Sequence, residues 1–163
     1  MRRIQAEDAA VIASPPNLIW QAITDFSSYA KWWPSSVRIA VRRHSPELIG
    51  SQVQLKPFGG RAFVCEVESI RNGAELRLQY SGVYRGTGVW TIVAGDGNCR
   101  VTYRVDLEIV DPLMKLLSYI VSIPRLHSSL MREVFAGLAG YLAQNKKIRV
   151  HSNYLKNQIK TNL

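Results

Sequence analysis

The sequence lacks the features that mark several large classes of protein. Its two cysteines, Cys65 and Cys99, are too few for the disulfide scaffold of a small secreted domain. No apolar run approaches the roughly 18–20 residues that a membrane-spanning helix needs. The basic residues near the start are not followed by the apolar segment of a signal peptide. We therefore expect a cytoplasmic protein, and its 163 residues are enough for one self-sufficient core.

Acidic residues are scarce, above all at the C-terminus. The chain has 21 Lys and Arg against 12 Asp and Glu, which gives a net charge of +9. Residues 146–163 hold five basic residues and no acid, so residues 1–145 carry only +4. We predict a domain over residues 1–145, followed by a basic tail over residues 146–163. The rest of the chain has no basic and aromatic pattern typical of nucleic-acid recognition.

The tail allows two interpretations. It is either a solvated extension or a segment that contacts anionic lipid, RNA or an acidic protein. Ile148, Leu155 and Ile159 would share one face of a helix, which favours a helix lying on an anionic membrane surface. On that interpretation the protein is peripheral to the membrane.

Recognisable metal and catalytic motifs are also missing. His44, His127 and His151 are far apart, and no pair of cysteines or histidines has metal-ligand spacing. We predict neither a metal site nor a cofactor. The glycine-rich residues 82–88 do not lead from a strand into a helix, so they predict a hairpin or a bulge instead of a phosphate-binding loop.

Most of the chain alternates between apolar and polar residues. From Val37 to Val110 this period of two predicts six strands with one wet and one covered face, as in an antiparallel sheet. Asn72-Gly73 and Asp96-Gly97 are typical hairpin turns between them. A further strand over residues 4–13 comes first. Two short helical segments follow it, the first capped by Ser14 and the second broken by Pro34.

The last helix carries a long apolar stripe. Asp111-Pro112 predicts its start, and the pattern continues to about Gln144. The stripe consists of Leu113, Leu116, Leu117, Ile120, Ile123, His127, Leu130, Val134, Leu138 and Tyr141. Pro124 should bend or split the helix, which makes residues 112–123 a lead-in. Since the sheet can bury its apolar face only against this helix, we expect a curved sheet and a cavity of roughly 300 Å³ or more beside it.

The residues from Ile12 to Phe26, with Tyr29, Trp32 and Pro34, match a known pattern. It consists, in order, of a strand end, a proline, a helix with hydrophobic residues and a tryptophan, and an aspartate at the end of the helix. This pattern resembles that of the START-like superfamily. This helix-grip fold is also called SRPBCC. Within it, the chain is similar to the polyketide cyclase/dehydrase and lipid-transport family over about residues 4–144. The resemblance implies an α+β fold with a seven-stranded curved antiparallel sheet around a long C-terminal helix, and two short helices between strands 1 and 2.

The same resemblance implies binding or transport of a hydrophobic small molecule, such as a lipid, an isoprenoid or a polyketide-like compound. Some members of the family are instead aromatases or cyclases. The residues we expect between the sheet and the helix are Phe63, Tyr80, Trp90, Tyr103, His127 and Met131. The facing of Trp90 stays open, because its strand does not alternate clearly.

His127 is the candidate for chemistry. On the apolar stripe it would act as a general base or hydrogen-bond a ligand carbonyl, or it would be a core histidine satisfied by a sheet side chain. Tyr80 and Tyr103 would likewise either orient a polar head group or only pack. The alternative function is therefore a polyketide aromatase, cyclase or dehydratase that uses these three side chains for proton transfer.

Overall fold

The predicted strands form one antiparallel sheet. A computed structural model describes residues 2–161, with the side chains of residues 2–153 and of Lys156. The strand order is β1-β7-β6-β5-β4-β3-β2. The strands are β1 (Arg3–Ile12), β2 (Val37–Arg43), β3 (Gln52–Pro57), β4 (Phe63–Arg71), β5 (Glu75–Gly82), β6 (Tyr84–Ala94) and β7 (Cys99–Ile109). Bulges in β2 and β4 interrupt the register, and such bulges bend a sheet.

Two short helices connect β1 to β2, as predicted. Helix α1 (Pro16–Thr24) is followed by a 3-10 helix over Phe26–Lys31. The predicted cap of α1 is wrong: the helix begins at Pro16, so Ser14 lies too early to cap it. The Ser14 carbonyl instead accepts a hydrogen bond from the Cys99 thiol at 3.3 Å, which joins the end of β1 to β7.

The glycine-rich residues 82–88 belong mostly to a strand. Strand β6 already begins at Tyr84, so only Val83 separates it from β5. Gly88 lies within β6 and pairs with Leu78 of β5. The turn of the hairpin is therefore shorter than the sequence indicated, and Gly86 and Gly88 lie inside β6.

The C-terminal part of the chain forms two helices separated by residues 118–122, and Pro124 lies in the first turn of the second. Helix α2 (Pro112–Leu117) is capped by Asp111, whose carboxylate accepts a hydrogen bond from the backbone N–H of Met114. Helix α3 begins at Ile123, so the lead-in is a separate element. It runs to Thr161, and the predicted end near Gln144 is wrong. No described helix is both long and apolar enough to cross a bilayer.

The apolar stripe faces the sheet only in α3. Val134 and Leu138 are fully buried, and Leu142 is the last buried residue of the helix among the described side chains. The four residues of the stripe before α3 are exposed, against the prediction: Leu113, Leu116, Leu117 and Ile120. Because α2 is only six residues long and residues 118–122 separate it from α3, this part of the stripe does not continue into the buried face of α3.

Gly137 lets α3 approach the short helices closely. A Cβ atom at this position would overlap the carbonyl oxygen of Trp32. This contact and the buried side chains around it fill the space beside the middle of α3. A mostly apolar space lies at the beginning of α3, and a more polar space of about 700 Å³ lies further along the helix, beside Tyr141, Leu142 and Asn145.

Candidate functional site

A cavity of about 230 Å³ lies between the start of α3 and the sheet. The sheet contributes Ile4, Phe63, Tyr80, Tyr84 and Leu107, with Val83 from the turn before β6. The helices contribute Met114, Ile123, Leu126, His127 and Leu130, and the loop after β3 contributes Pro57, Phe58, Gly60 and Arg61. The cavity is smaller than expected and lies below the roughly 300–1,000 Å³ typical of small-molecule sites.

The lining is almost entirely apolar. Four of its side chains carry a nitrogen or oxygen atom: Tyr80, Tyr84, His127 and Arg61. An apolar wall with a few polar groups is typical of sites for hydrophobic ligands with one or two heteroatoms.

The structure divides the six predicted site residues into two layers. Phe63, Tyr80 and His127 line the cavity. Trp90, Tyr103 and Met131 are buried but do not line it. Trp90 faces inward, with its ring 4.6 Å from that of Tyr103 and 5.9 Å from that of Phe135. These three side chains therefore support the cavity wall from behind.

The two tyrosines form a buried pair. Their hydroxyl groups share a hydrogen bond of 2.5 Å, and the ring of Phe63 stacks on Tyr80 with centroids 5.3 Å apart. Burial raises the pKa of Tyr80 and of Tyr103 far above the ordinary value, so both stay neutral. Either hydroxyl can donate this hydrogen bond, and the Tyr80 proton is free for another acceptor only when Tyr103 donates it.

Gly88 makes room for this pair. A Cβ atom there would overlap the Tyr103 hydroxyl and lie 2.9 Å from the Tyr80 ring. Because real Cβ atoms do not approach so closely, any larger residue at position 88 must displace one of the tyrosines.

His127 contacts an acid that the sequence interpretation missed. Its Nδ1 atom lies 3.3 Å from Oδ2 of Asp8, and the two side chains are only 17% and 14% exposed. Neither atom completes a well-aligned hydrogen bond, so the pair is a close polar contact between a carboxylate and an imidazole. Burial lowers the pKa of His127, and the Asp8 carboxylate only partly offsets this. The imidazole is therefore neutral at pH 7.

The alternation of β1 is a sequence pattern that could have identified Asp8 as a buried acid. Asp8 lies on the same face of β1 as Ile4, Ala6 and Ile12, and all four are at least partly buried. It pairs in register with Tyr103 of β7, whose ring stacks on His127 with centroids 6.0 Å apart. An acid on the apolar face of a strand needs a partner, and here the partner comes from α3.

An ion pair joins the two sides of the cavity mouth. Nη1 of Arg61, in the loop after β3, lies 2.9 Å from Oδ2 of Asp111. The other oxygen of Asp111 accepts the 2.9 Å hydrogen bond that caps α2. Phe58, in the same loop, is exposed and has a positive φ of 52°. One carboxylate thus fixes the start of α2 and holds the loop against it.

A curved antiparallel sheet on one long C-terminal helix, with an apolar cavity between them, defines a helix-grip protein of the START-like class. The model of the family described as polyketide cyclase/dehydrase and lipid transport matches residues 3–143. The chain belongs to this family.

Solved structures show the same fold at low sequence identity. A START superfamily protein from Mycobacterium smegmatis has a TM-score of 0.67 at 16% identity, over 86% of this chain and 97% of that one. The protein TTHA0849 from Thermus thermophilus has a TM-score of 0.71 at 15% identity, over 86% and 98% of the two chains. A norcoclaurine synthase from Thalictrum, in complex with a transition-state analogue, has a TM-score of 0.66 at 8% identity, over 89% and 97%. No curated protein matches the sequence.

Proposed function

We propose that the protein binds one small hydrophobic molecule in the cavity between the sheet and α3. The observation that carries this proposal is a lined space of about 230 Å³ that the surrounding side chains leave open. The family's link to lipid transport and polyketides supports the same class of ligand. Since one water occupies about 30 Å³ of liquid, the space equals about eight waters and suits a ligand of roughly eight to ten non-hydrogen atoms unless the mouth opens further.

The polar groups indicate where the ligand carries its heteroatom. Tyr80 is positioned to donate a hydrogen bond, and the neutral His127 ring is able to donate or accept one. Both lie on the cavity wall, whereas Arg61 is at the mouth and largely exposed. The ligand that fits best is an apolar ring system or short chain with one carbonyl or hydroxyl group directed to Tyr80 and His127.

Filling the cavity tests this proposal. Leu130 lines the cavity, so Leu130→Trp should lower the affinity for 2-naphthol at least tenfold in isothermal titration calorimetry. Ile148→Trp is the matched control, because Ile148 is exposed on the same helix beyond the buried part. Native mass spectrometry of the purified protein would reveal a retained ligand. Equal affinity in both variants would contradict the proposal, and so would a protein that neither carries nor binds such a molecule.

The contact between Asp8 and His127 favours a second candidate function, proton transfer in an enzyme. A proton on Nδ1 would face the Asp8 carboxylate and leave Nε2 as the basic nitrogen. The lowered pKa keeps the ring neutral and ready to accept a proton. The norcoclaurine synthase among the fold neighbours is an enzyme by its name, although at 8% identity it shares only the fold.

The proposed step is removal of a proton next to a carbonyl group. The C–H bond breaks, its proton moves to Nε2 of His127, and the electron pair forms an enolate. The enolate oxygen accepts a hydrogen bond from Tyr80, which gains strength as negative charge develops there. Return of the proton to a different position completes an isomerisation. Alternatively, the enolate carbon bonds to a second carbonyl carbon, the C=O π bond of that carbonyl breaks, and the resulting alkoxide takes the proton back from Nε2, which closes a ring.

Hydrogen–deuterium exchange of 2-tetralone, followed by NMR, tests this step. His127→Gln should slow the exchange at least about a hundredfold, within the usual range for loss of a general base. His151→Gln is the control, because His151 is exposed on the same helix. Asp8→Asn should move the pH midpoint of exchange to lower pH, because Asp8 raises the pKa of His127. If His127→Gln exchanges at the wild-type rate, the protein is a binding protein alone.

A further inference from the structure

The surface around α2 exposes an unusual concentration of apolar side chains. Fourteen large apolar side chains are exposed among the described residues, and seven of them fall within residues 113–126. These seven are Leu113, Leu116, Leu117, Tyr119, Ile120, Val121 and Leu126. We name residues 113–126 the apolar lobe. Soluble proteins rarely expose a contiguous apolar patch unless it contacts a partner or a membrane.

The spacing of the lobe residues makes the patch continuous. Leu113, Leu116 and Leu117 share one face of α2, because residues three and four apart are neighbours on a helix. Ile120, in the turn that follows, is 82% exposed, and Tyr119 is 74% exposed. The sequence pattern of a core-facing helix is thus directed to solvent.

The backbone of the lobe is hydrogen-bonded internally. The N–H groups of Tyr119, Ile120 and Val121 donate to carbonyl oxygens of Leu116 and Leu117 at 2.9–3.2 Å. The guanidinium group of Arg2 donates to the carbonyl of Ser118 at 2.8 Å and lies over the Tyr119 ring. A segment can enter the hydrocarbon boundary of a bilayer only if its backbone polar groups are satisfied in this way.

The charges around the lobe are positive. Residues 112–126 contain Lys115 and Arg125 and no acid. Arg2 adds a third positive charge at Tyr119, and the nearest carboxylate in sequence, Asp111, is already paired with Arg61. An apolar surface with a basic border complements a bilayer that carries anionic head groups. It does not complement a basic or neutral protein surface in the same way.

The lobe also forms one side of the cavity mouth. Met114, Ile123 and Leu126 line the cavity, and Leu126 is exposed to solvent as well. Contact between the lobe and a bilayer would therefore place the mouth against the lipid. Docking itself is independent of the cavity, whereas exchange of a ligand with the membrane rests on the proposed function.

We propose that the apolar lobe of residues 113–126 is a docking surface for anionic membranes. The apolar side chains enter the interface, Lys115 and Arg125 contact the head groups, and Arg2 adds positive charge beside Tyr119. This surface is distinct from the tail of residues 146–163, for which a membrane contact is one of the two interpretations that the sequence allows. About 31 Å separates position 125 from position 146 along α3, at 1.5 Å per residue.

Vesicle co-sedimentation distinguishes the two surfaces. The probe is a vesicle of phosphatidylcholine with 30% phosphatidylglycerol, compared with phosphatidylcholine alone. Leu116→Ser with Ile120→Ser should weaken binding to the anionic vesicles at least tenfold. The matched control is Val11→Ser with Val93→Ser, which removes two exposed apolar side chains from the sheet and should change binding less than twofold.

A second pair of variants tests the charges. Lys115→Gln with Arg125→Gln should weaken binding to anionic vesicles and reduce its dependence on salt, whereas Lys146→Gln with Lys147→Gln should have less effect. Circular dichroism melting checks that each variant folds. The proposal is overturned if the wild type does not bind anionic vesicles, or if the tail variant loses binding while the lobe variants keep it. It is also overturned if light scattering shows a dimer that only the lobe variants dissociate, because the lobe would then be covered by a second copy.

Discussion

Replacing Gly88 by alanine tests the tyrosine pair at the cavity wall. The new Cβ atom would overlap the Tyr103 hydroxyl, so either the ring or strand β6 must move. Overpacking a well-packed core costs about 1–3 kcal/mol. Loss of the hydrogen bond between the two tyrosines adds about 0.5–1.5 kcal/mol. We therefore expect Gly88→Ala to lower the free energy of unfolding by about 1.5–4.5 kcal/mol, a large share of the 5–15 kcal/mol typical of a domain.

The same substitution at Gly140 supplies a control of opposite sign. Gly140 lies in α3, and a Cβ atom there meets no other atom within 4 Å. Gly140→Ala should raise the free energy of unfolding by about 0.5–1 kcal/mol, because alanine favours the helix over glycine. The measurement is equilibrium unfolding in urea, followed by circular dichroism.

A double-mutant cycle identifies the atom responsible. Tyr103→Phe removes the hydroxyl that the new Cβ atom would overlap, at a cost of about 1 kcal/mol by itself. Gly88→Ala with Tyr103→Phe should then be less destabilised than the sum of the single variants by at least about 1 kcal/mol. The reasoning is refuted if Gly88→Ala is as stable as the wild type, or if the two effects add within about 0.5 kcal/mol.

Three further predictions follow from burial and charge. The pKa of His127 is lower in the folded state than in the unfolded chain, so the unfolded chain takes up the proton first as the pH falls below about 6.5. The free energy of unfolding therefore decreases below that pH. Urea titrations at pH 5–7 should show a smaller decrease in His127→Gln. Arg61→Ala should lower the free energy of unfolding by less than about 1 kcal/mol, since Arg61 is 57% exposed. It should speed the dissociation of 2-naphthol in stopped-flow measurements. Unchanged kinetics would contradict a role of Arg61 at the cavity mouth. Leu138→Ala should cost about 2–5 kcal/mol in thermal or urea unfolding and Leu116→Ala less than about 0.5 kcal/mol, because the first is fully buried and the second exposed; equal losses would contradict the assigned faces.

The sheet was predictable because a period of two defines which side chains share a face. The alternation from Val37 onward yielded the strands, and Asn72-Gly73 and Asp96-Gly97 marked turns in which Gly73 and Gly97 adopt the positive φ that such turns require. The alternation likewise placed Phe63 and Tyr80 at the cavity wall, and the helical period placed His127 there. Local patterns are sufficient where a side chain's direction depends only on its own strand or helix.

Other features depend on contacts between distant residues. A helical period shows that Leu113 and Leu116 share a face, but it does not show whether that face meets the sheet or the solvent. The alternation in β1 places Asp8 on the covered face, but the identity of its partner, His127, depends on how the first strand and the last helix meet. Whether Trp90 and Tyr103 would touch a ligand or support the wall depended on the curvature of the sheet, which the pattern leaves undetermined.

Helix α3 has a packed part and an exposed part, and the two differ in the free energy that keeps them helical. Beyond Leu142 the helix continues to Thr161, roughly 28 Å at 1.5 Å per residue, and its described side chains beyond position 145 are exposed. A separate peptide of that size would be only marginally helical in water, because helix nucleation is unfavourable. Here the packed half supplies the nucleus, so amide hydrogen exchange should accelerate progressively toward the C-terminus from Leu142. A molecule that binds residues 143–161 therefore binds a helix that is already formed. The loss of conformational entropy on binding is smaller than for a peptide that must fold as it binds.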